Sequence, residues 1–329
     1  MMTKRERLSN TFNFKPVDSL PAIEWAGWWD VTMDRWHKEG FPYNIDSFEY
    51  LGLDQHAQFW LSHTTNEFPH PEYHGGAIIN NEKDYDNIKK YLFPKDAVKK
   101  RAEELHNCKE YQSSGDMSVW ITFEGFFWFP RVLFGIENHL YSFYDHPELY
   151  HRICSDLVEF QLEMLEQFCD ILTPDFMSFA EDMSYNSGPM LSKTHFDEFL
   201  APYYKRIIPA IKEKGIKVLI DTDGDVYPLI PWLKSVDVDG IMPLERQSGV
   251  DVNLIREQYP DLLMLGGFNK LIMKDGEDAM RKEFERILPA MKSGGYIPSV
   301  DHQTPPDVSL ENYKIYVKLL KEYCTMKGS

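Results

Sequence analysis

The sequence predicts an α/β fold: a (β/α)8 TIM barrel in one domain spanning 1–329, with an N-terminal extension and an inserted hairpin or lid at roughly 66–95. Three observations carry this expectation. Brief apolar runs alternate with longer amphipathic stretches along the chain, the pattern of strands followed by helices. Such alternation requires right-handed crossovers and a parallel sheet covered on both faces, and about eight repeats close into a barrel. A chain of 329 residues suits one large barrel as well as two average domains.

The apolar runs fall at 20–26, 118–123, 175–180, 216–220, 240–244, 262–266 and 296–300, and 53–61 supplies an eighth. The clearest helix follows Asp145-His-Pro147-Glu148, a start signal with proline and acid in the first turn. It sets Leu149, Ile153, Leu157, Phe160, Met164 and Phe168 on one face. Further helical patterns cover 195–214, 252–258, 277–291 and 309–323. Segment 69–91 interrupts the alternation with His70, His74 and Gly75-Gly76 before Phe93-Pro94, and reads as the inserted hairpin or lid.

Composition narrows the function. With 43% apolar and 14% aromatic residues the chain can bury a large core, which excludes general disorder. Its 35 Lys+Arg against 52 Asp+Glu leave a net charge of −17, so nucleic acid and anionic membrane surfaces are not expected partners. The basic clusters Lys89-Lys90 and Lys99-Lys100-Arg101 read as a solvated helix face. The opening MMTKRERLSNTF has no apolar stretch of signal-peptide type, and no 18 apolar residues run together, which predicts a cytoplasmic protein without a membrane span. Cys108, Cys154, Cys169 and Cys324 form no C-x-x-C pair and are expected to be reduced and structural.

In a barrel the C-terminal strand ends converge on one face, where the chemistry is built. Here acids recur at those ends: Glu24-Trp25, Glu124, Glu181-Asp182, Asp221-Thr-Asp223-Gly-Asp225, Glu245, Asn269-Lys270 and Asp301-His302. Helix capping explains Asp225 and Asp182 well, but Glu is not a preferred cap, so the set predicts a shared acidic site. Carboxyls crowded into one pocket push at least one pKa upward and leave a proton donor near neutrality. A divalent cation held by Asp221, Asp223, Glu181 and His302 is the other outcome. Trp25, Trp28, Trp29 and Trp36, with Phe126-Phe-Trp-Phe129, are either core and lid packing or the walls of a slot for an aromatic substrate.

Beyond these patterns, Ser187-Gly-Pro-Met-Leu-Ser-Lys-Thr-His-Phe196, Pro202-Tyr-Tyr204, Asp221-Thr-Asp-Gly224, Pro243-Leu-Glu245, Gly266-Gly267 and Gly294-Gly-Tyr-Ile297 with Asp301-His302 resemble the uroporphyrinogen decarboxylase superfamily. Thr3-Lys-Arg-Glu-Arg-Leu8 with Pro16-Val-Asp18 is similar to the start of that family. The resemblance implies a barrel that hosts decarboxylases and cobamide-dependent methyltransferases. Porphyrinogen-binding members carry an arginine-rich segment after the first strand, whereas the matching stretch here, Glu24 to Asp30, holds tryptophans and acids and no arginine. Thiol-methylating members bind zinc through His and Cys, and the equivalents here are Asp221, Asp223 and His302, a site for a zinc ion if a metal is bound.

The resemblance therefore implies a methyltransferase that moves a methyl group from a small methylated substrate, with an aryl methyl ether as leading donor, to the corrinoid (cobalamin) of a carrier protein. Asp221 and Asp223 are expected to supply the acid or hold the metal, with His302 positioning or sharing the proton and Glu181 completing the catalytic set. Glu24, Trp25, Trp28, Glu124, Phe127, Glu245, Asn269, Lys270 and Asp301 are the expected substrate-binding residues, Trp28 and Phe127 holding the ring. One alternative is decarboxylation of a smaller acid, with Asp221 protonating the carbon and Lys270 or Arg246 binding the carboxylate. Another is a non-catalytic corrinoid- or tetrapyrrole-binding protein. The resemblance also implies a homodimer or a transient complex with the carrier.

Overall fold

The structure, a computed structural model, describes residues 1–326. Its centre is built on runs such as Ser-Val-Trp-Ile-Thr-Phe-Glu, buried at every residue but the last and therefore strands covered on both sides. The strands are β1 (His56–Trp60), β2 (Ser118–Glu124), β3 (Phe176–Ala180), β4 (Ser184–Tyr185), β5 (Gly188–Pro189), β6 (Lys217–Thr222), β7 (Gly240–Pro243), β8 (Leu263–Phe268) and β9 (Tyr296–Val300). Seven of them form one parallel sheet in the order β1-β2-β3-β6-β7-β8-β9, while β4 and β5 make a small antiparallel hairpin after β3.

The run expected at 20–26 is not a strand. It is extended, and its ends bond to different elements. The Asp54 N–H, just before β1, donates to the Ala22 carbonyl over 2.9 Å, while Trp25 donates from its backbone to Ser299 Oγ (3.3 Å) and from Nε1 to the Val300 carbonyl (2.8 Å). Pro21 within this run has no N–H to give to a ladder. The region 53–61 does yield a strand, β1, and the other six runs match their strands to within two residues at each end.

The sheet's side-chain alternation sorts core from site. One face carries Trp120, Phe176, Leu219, Met242, Leu263, Leu265 and Ile297, and the N-terminal helix Lys4–Phe12 packs Leu8 and Phe12 against it. That helix starts in a capping box: Thr3 Oγ1 accepts from the Glu6 N–H, and Glu6 Oε2 from the Thr3 N–H. Two residues further along the strands the same face turns polar. Thr122 and Ser178 hydrogen-bond at 2.8 Å, and Gln58 meets Thr122 at 2.7 Å. The opposite face packs on the helices Pro147–Ile171, Ala201–Glu213, Val252–Gln258, Glu277–Lys292 and Leu310–Met326. A π-helical turn at Phe196–Leu200 interrupts the 195–214 pattern just before Pro202, which cannot donate to the preceding turn.

Segment 66–95 contains no strand, so the expected hairpin is not formed. It contains the helix Glu82–Ile88 and packs outward, with Tyr85 donating to Asp156 (2.8 Å), Lys89 paired with Asp156 (2.8 Å) and the Ile78 N–H donating to the Leu133 carbonyl (2.8 Å). Its polar, charge-rich helix serves as a brace on the helix Pro147–Ile171. Among the described residues no helix is long and apolar enough to cross a membrane.

Candidate active site

A cavity of about 440 Å³ opens at the C-terminal end of the sheet. Three indoles, Trp25, Trp60 and Trp128, wall it. Gln58, Ala180, Asp221 and Thr222 come from strand ends, and Asp182, Asp223, His302 and Gln303 from the loops beyond them. No lysine or arginine is among the described residues that line it.

Asp221 sits in register between Ala180 of β3 and Met242 of β7, on the same face as Leu219 two residues before. Its carboxyl meets no hydrogen-bond donor among the described residues. Burial, and then the charge of Asp223, push its pKa up to about 7, with His302 opposing and Asp182 adding to the rise. It therefore holds its proton close to neutrality.

Asp223 and His302 face each other, His302 Nε2 lying 3.5 Å from Asp223 Oδ2. This contact, more than any other, raises the His302 pKa. Trp25 and Trp29 flank the imidazole with ring centroids 6.5 Å away, both near edge-on. Gly224 lets the chain turn here: its φ is +82°, and a Cβ would stand 2.7 Å from the Tyr185 carbonyl oxygen. The Gly224 N–H donates to Glu245 Oε2 over 3.2 Å.

Behind this pair lies a charged scaffold that does not line the cavity. Asp301 is fully buried and accepts from the Lys270 N–H (3.1 Å), the Arg246 N–H (3.0 Å) and Lys270 Nζ (3.4 Å). Lys270 Nζ also donates to Gln247 (2.9 Å) and lies 3.8 Å from Glu245. Asn269 caps the turn Lys270–Asp275 through the Leu271 N–H. Glu245, Asn269, Lys270 and Asp301, expected to touch substrate, thus tie the loops after β7, β8 and β9 together.

Glu181 also lines the cavity, but its carboxyl is already engaged by the protein. Fully buried, it accepts from the backbone N–H groups of Phe126 (2.9 Å), Phe127 (2.7 Å) and Trp128 (3.0 Å) and from the Tyr204 hydroxyl. Burial raises its pKa to about 7 while those bonds oppose the rise. With both oxygens committed, it anchors the loop that carries Trp128. Glu24, by contrast, is buried away from the cavity, accepting from Ser299 Oγ (2.6 Å) and the Tyr313 hydroxyl (2.9 Å), and burial raises its pKa to about 7.

The expected ring-holding residues are elsewhere. Trp28 packs on Trp36, Phe48 and Tyr313, and Phe127 is buried against His139 and Phe143. Glu124 faces His63 and is not part of the lining. Trp25 is the substrate-binding expectation that does line the cavity.

Sequence reasoning missed Gln58, Trp60, Trp128, Asp182 and Gln303. Gln58 and Trp60 alternate along 53–61, so period two could have assigned them to the inner face. Asp182 reads as a helix cap but is a left-handed residue (φ +42°) paired with Arg131 at 2.8 Å. The Arg131 guanidinium in turn lies 5.0 Å over the Trp128 ring.

Among the described residues no three His, Cys, Asp or Glu side chains are grouped as a bound metal ion would require. Asp221, Asp223 and His302 share the cavity but are not such a group, so they do not fit the expected zinc set.

The uroporphyrinogen decarboxylase (URO-D) family matches residues 130–323. The uroporphyrinogen decarboxylase of Ruthia magnifica subsp. Calyptogena magnifica is 21% identical over 186 residues, 55% of this chain and 51% of that protein. That of Campylobacter jejuni subsp. jejuni serotype O:2 is 26% identical over 188 residues, 54% of this chain and 50% of that protein. The chain spans about half the length of the curated relatives it matches. In solved structures, a B12-independent methionine synthase from Shewanella sp. W3-18-1 in complex with selenomethionine shares 11% identity, 69% of this chain and 65% of that chain, at a TM-score of 0.49.

Proposed function

We propose that this chain, which belongs to the uroporphyrinogen decarboxylase family, is an enzyme that transfers a methyl group from a small methylated donor, an aryl methyl ether above all, to the corrinoid of a carrier protein. The observation that carries the reading is Asp221, a carboxyl with a pKa of about 7 and no hydrogen-bond donor among the described residues, in a cavity walled by Trp25, Trp60 and Trp128. In the same reading the extended stretch 20–26 is the eighth stave of the barrel, joining the two edges of the sheet.

A reduced corrinoid on the carrier supplies the nucleophile that takes the methyl group. Two indoles at the mouth, Trp29 (39% exposed) and Trp60 (47%), offer an apolar rim of the kind a planar macrocycle covers, so the surface fits such a partner. The chain's own part is to seat the ring between indoles and to protonate the departing oxygen. As the methyl C–O bond breaks, its electron pair goes to oxygen, Asp221 delivers its proton there, and the product leaves as a phenol. A placed acid of this kind contributes about two to four powers of ten in rate. His302, paired with Asp223 at the rim, returns a proton to Asp221.

The cation census argues against a carboxylate substrate. The basic groups near the cavity are already engaged: Lys270 with Asp301 and Gln247, Arg131 with Asp182, and Arg246 through Nη1 with the Val250 carbonyl. Decarboxylation of an acid, or binding of a porphyrinogen, would leave the substrate carboxylates with His302 as the sole lining cation among the described residues.

The test mixes the protein with methoxyarenes and a reduced corrinoid carrier and follows the methyl–cobalt absorbance. Wild type should form it, and Asp221→Asn should not, while still binding the donor. Silence across a broad donor panel overturns the reading. Carbon dioxide release from an added acid would establish the decarboxylase instead, and tight corrinoid binding without turnover a binding protein.

A further inference from the structure

Polar atoms without partners gather beside β2, outside the cavity lining. The Glu124 carboxyl oxygens meet no hydrogen-bond donor among the described residues, and the nearest imidazole atom, His63 Nδ1, is 3.9 Å from Oε2. That distance is too long for a hydrogen bond. His63 is 2% exposed and packs against Phe123, Phe129 and Phe160, and its Nδ1 has no partner. Gln161, fully buried on the helix Pro147–Ile171, leaves its Oε1 unpartnered as well. Buried polar atoms are nearly always satisfied, so the unpartnered His63 Nδ1, 3.9 Å from a carboxyl oxygen that has no donor, points to an occupant between the two.

The orientation of Gln161 fixes what that occupant must do. Gln161 Nε2 donates to the Glu124 carbonyl over 2.7 Å, and the reverse orientation would set two oxygens against each other. Its second N–H faces His63 Nε2 at 3.3 Å, which makes Nε2 an acceptor. Burial keeps the imidazole neutral, holding its pKa down at about 3. The ring proton therefore sits on Nδ1, on the side of the Glu124 carboxyl.

We propose that the gap between His63 and Glu124 binds a single hydroxyl group, which accepts from His63 Nδ1–H and donates to the Glu124 carboxylate. Burial raises the Glu124 pKa to about 7, so above that pH its carboxylate only accepts; there an ammonium cannot accept from His63, and a carboxylate or halide cannot donate to Glu124, whereas a hydroxyl oxygen does both. The Glu124 side chain is 28% exposed, so the site opens to solvent on one side and is closed by phenyl rings on the other. The hydroxyl is that of water or of a small alcohol or phenol. This assignment does not depend on the methyl-transfer reading.

Crystal structures of the full chain with and without phenol, and nitrogen NMR of His63 in solution, test it. The expected result is an oxygen within about 3.2 Å of both Nδ1 and Oε2, with the ring protonated at Nδ1. An oxygen that phenol leaves unchanged assigns water; one replaced by the phenol oxygen assigns the organic hydroxyl. In His63→Phe the oxygen should disappear. Absence of a bridging oxygen in wild type, a direct His63–Glu124 hydrogen bond, an Nε2–H ring, or an oxygen that survives in His63→Phe overturns the proposal. The wild-type measurements decide the matter even where the variant does not fold.

Discussion

The Trp128 backbone N–H donates to Glu181 Oε2 over 3.0 Å, so a buried acid of β3's trailing loop fixes the position of a cavity-wall indole that belongs to another loop. Glu181→Ala would leave the amides of Phe126, Phe127 and Trp128 and the Tyr204 hydroxyl without an acceptor. Each such loss costs about 1–3 kcal/mol, so the variant should be less stable by roughly 3 kcal/mol or more. Gly125→Ala should behave similarly, because its Cβ would stand 2.0 Å from the Glu181 carboxyl carbon. Urea unfolding midpoints with an unchanged slope check both; a midpoint shift under half of that size would mean Glu181 is not the anchor.

What was legible, and what was not, follows from the difference between backbone position and side-chain direction. Asp221 and Asp223 after one apolar run, and His302 after another, reach the same cavity because parallel strands end side by side. The same logic failed for Glu24, which also follows an apolar run, and placed Glu181 at the cavity without showing that its carboxyl is engaged elsewhere. Their carboxyls turn toward hydroxyls and amides, partners that leave no periodic mark in the sequence. Trp128 stood inside the aromatic stretch 126–129, but which of four neighbouring rings faces the cavity depends on the turn that Glu181 holds. Proline at position 21 was the one local sign that the first run would not enter the ladder.

Asp221 also makes stability depend on pH. Its folded pKa of about 7 exceeds the unfolded value of about 3.9, so between these pH values the folded state binds the extra proton. Stability is then lost as pH rises through that window. Asp221→Asn has no charge to desolvate. Its stability relative to wild type should be near zero at pH 4 and favourable by on the order of 2 kcal/mol at pH 8. Thermal or urea denaturation at the two pH values measures this, and an equal difference at both would show that the carboxyl is not desolvated.

Tyr313→Phe removes one of the two hydroxyls that donate to buried Glu24, leaving Ser299. Those bonds lower the Glu24 pKa against the dominant effect of burial, so the variant should move it above about 7. The cost should be about 1–2 kcal/mol, larger at pH 8 than at pH 5, because the donor is needed by the ionised form. Since Glu24 lies outside the cavity lining, donor affinity should stay within about twofold of wild type, a free-energy change of only about 0.4 kcal/mol. A large affinity loss at unchanged stability would instead assign Glu24 a direct contact with substrate.

If Asp221 is the acid, its proton must be in place when the methyl–oxygen bond breaks. The rate of methyl transfer should therefore fall above about pH 7, with kcat/KM dropping tenfold per pH unit once the carboxyl is ionised. His302 adds a second feature. Its pKa is raised by Asp223, so Asp223→Asn should lower it and weaken proton return, reducing kcat more than kcat/KM at alkaline pH. Donors whose leaving group is already a weak base, such as nitro-substituted methoxyarenes, should escape most of the alkaline loss, because they need less protonation. A pH profile that is the same for strongly and weakly basic leaving groups would remove Asp221 from the chemical step and leave it a binding residue.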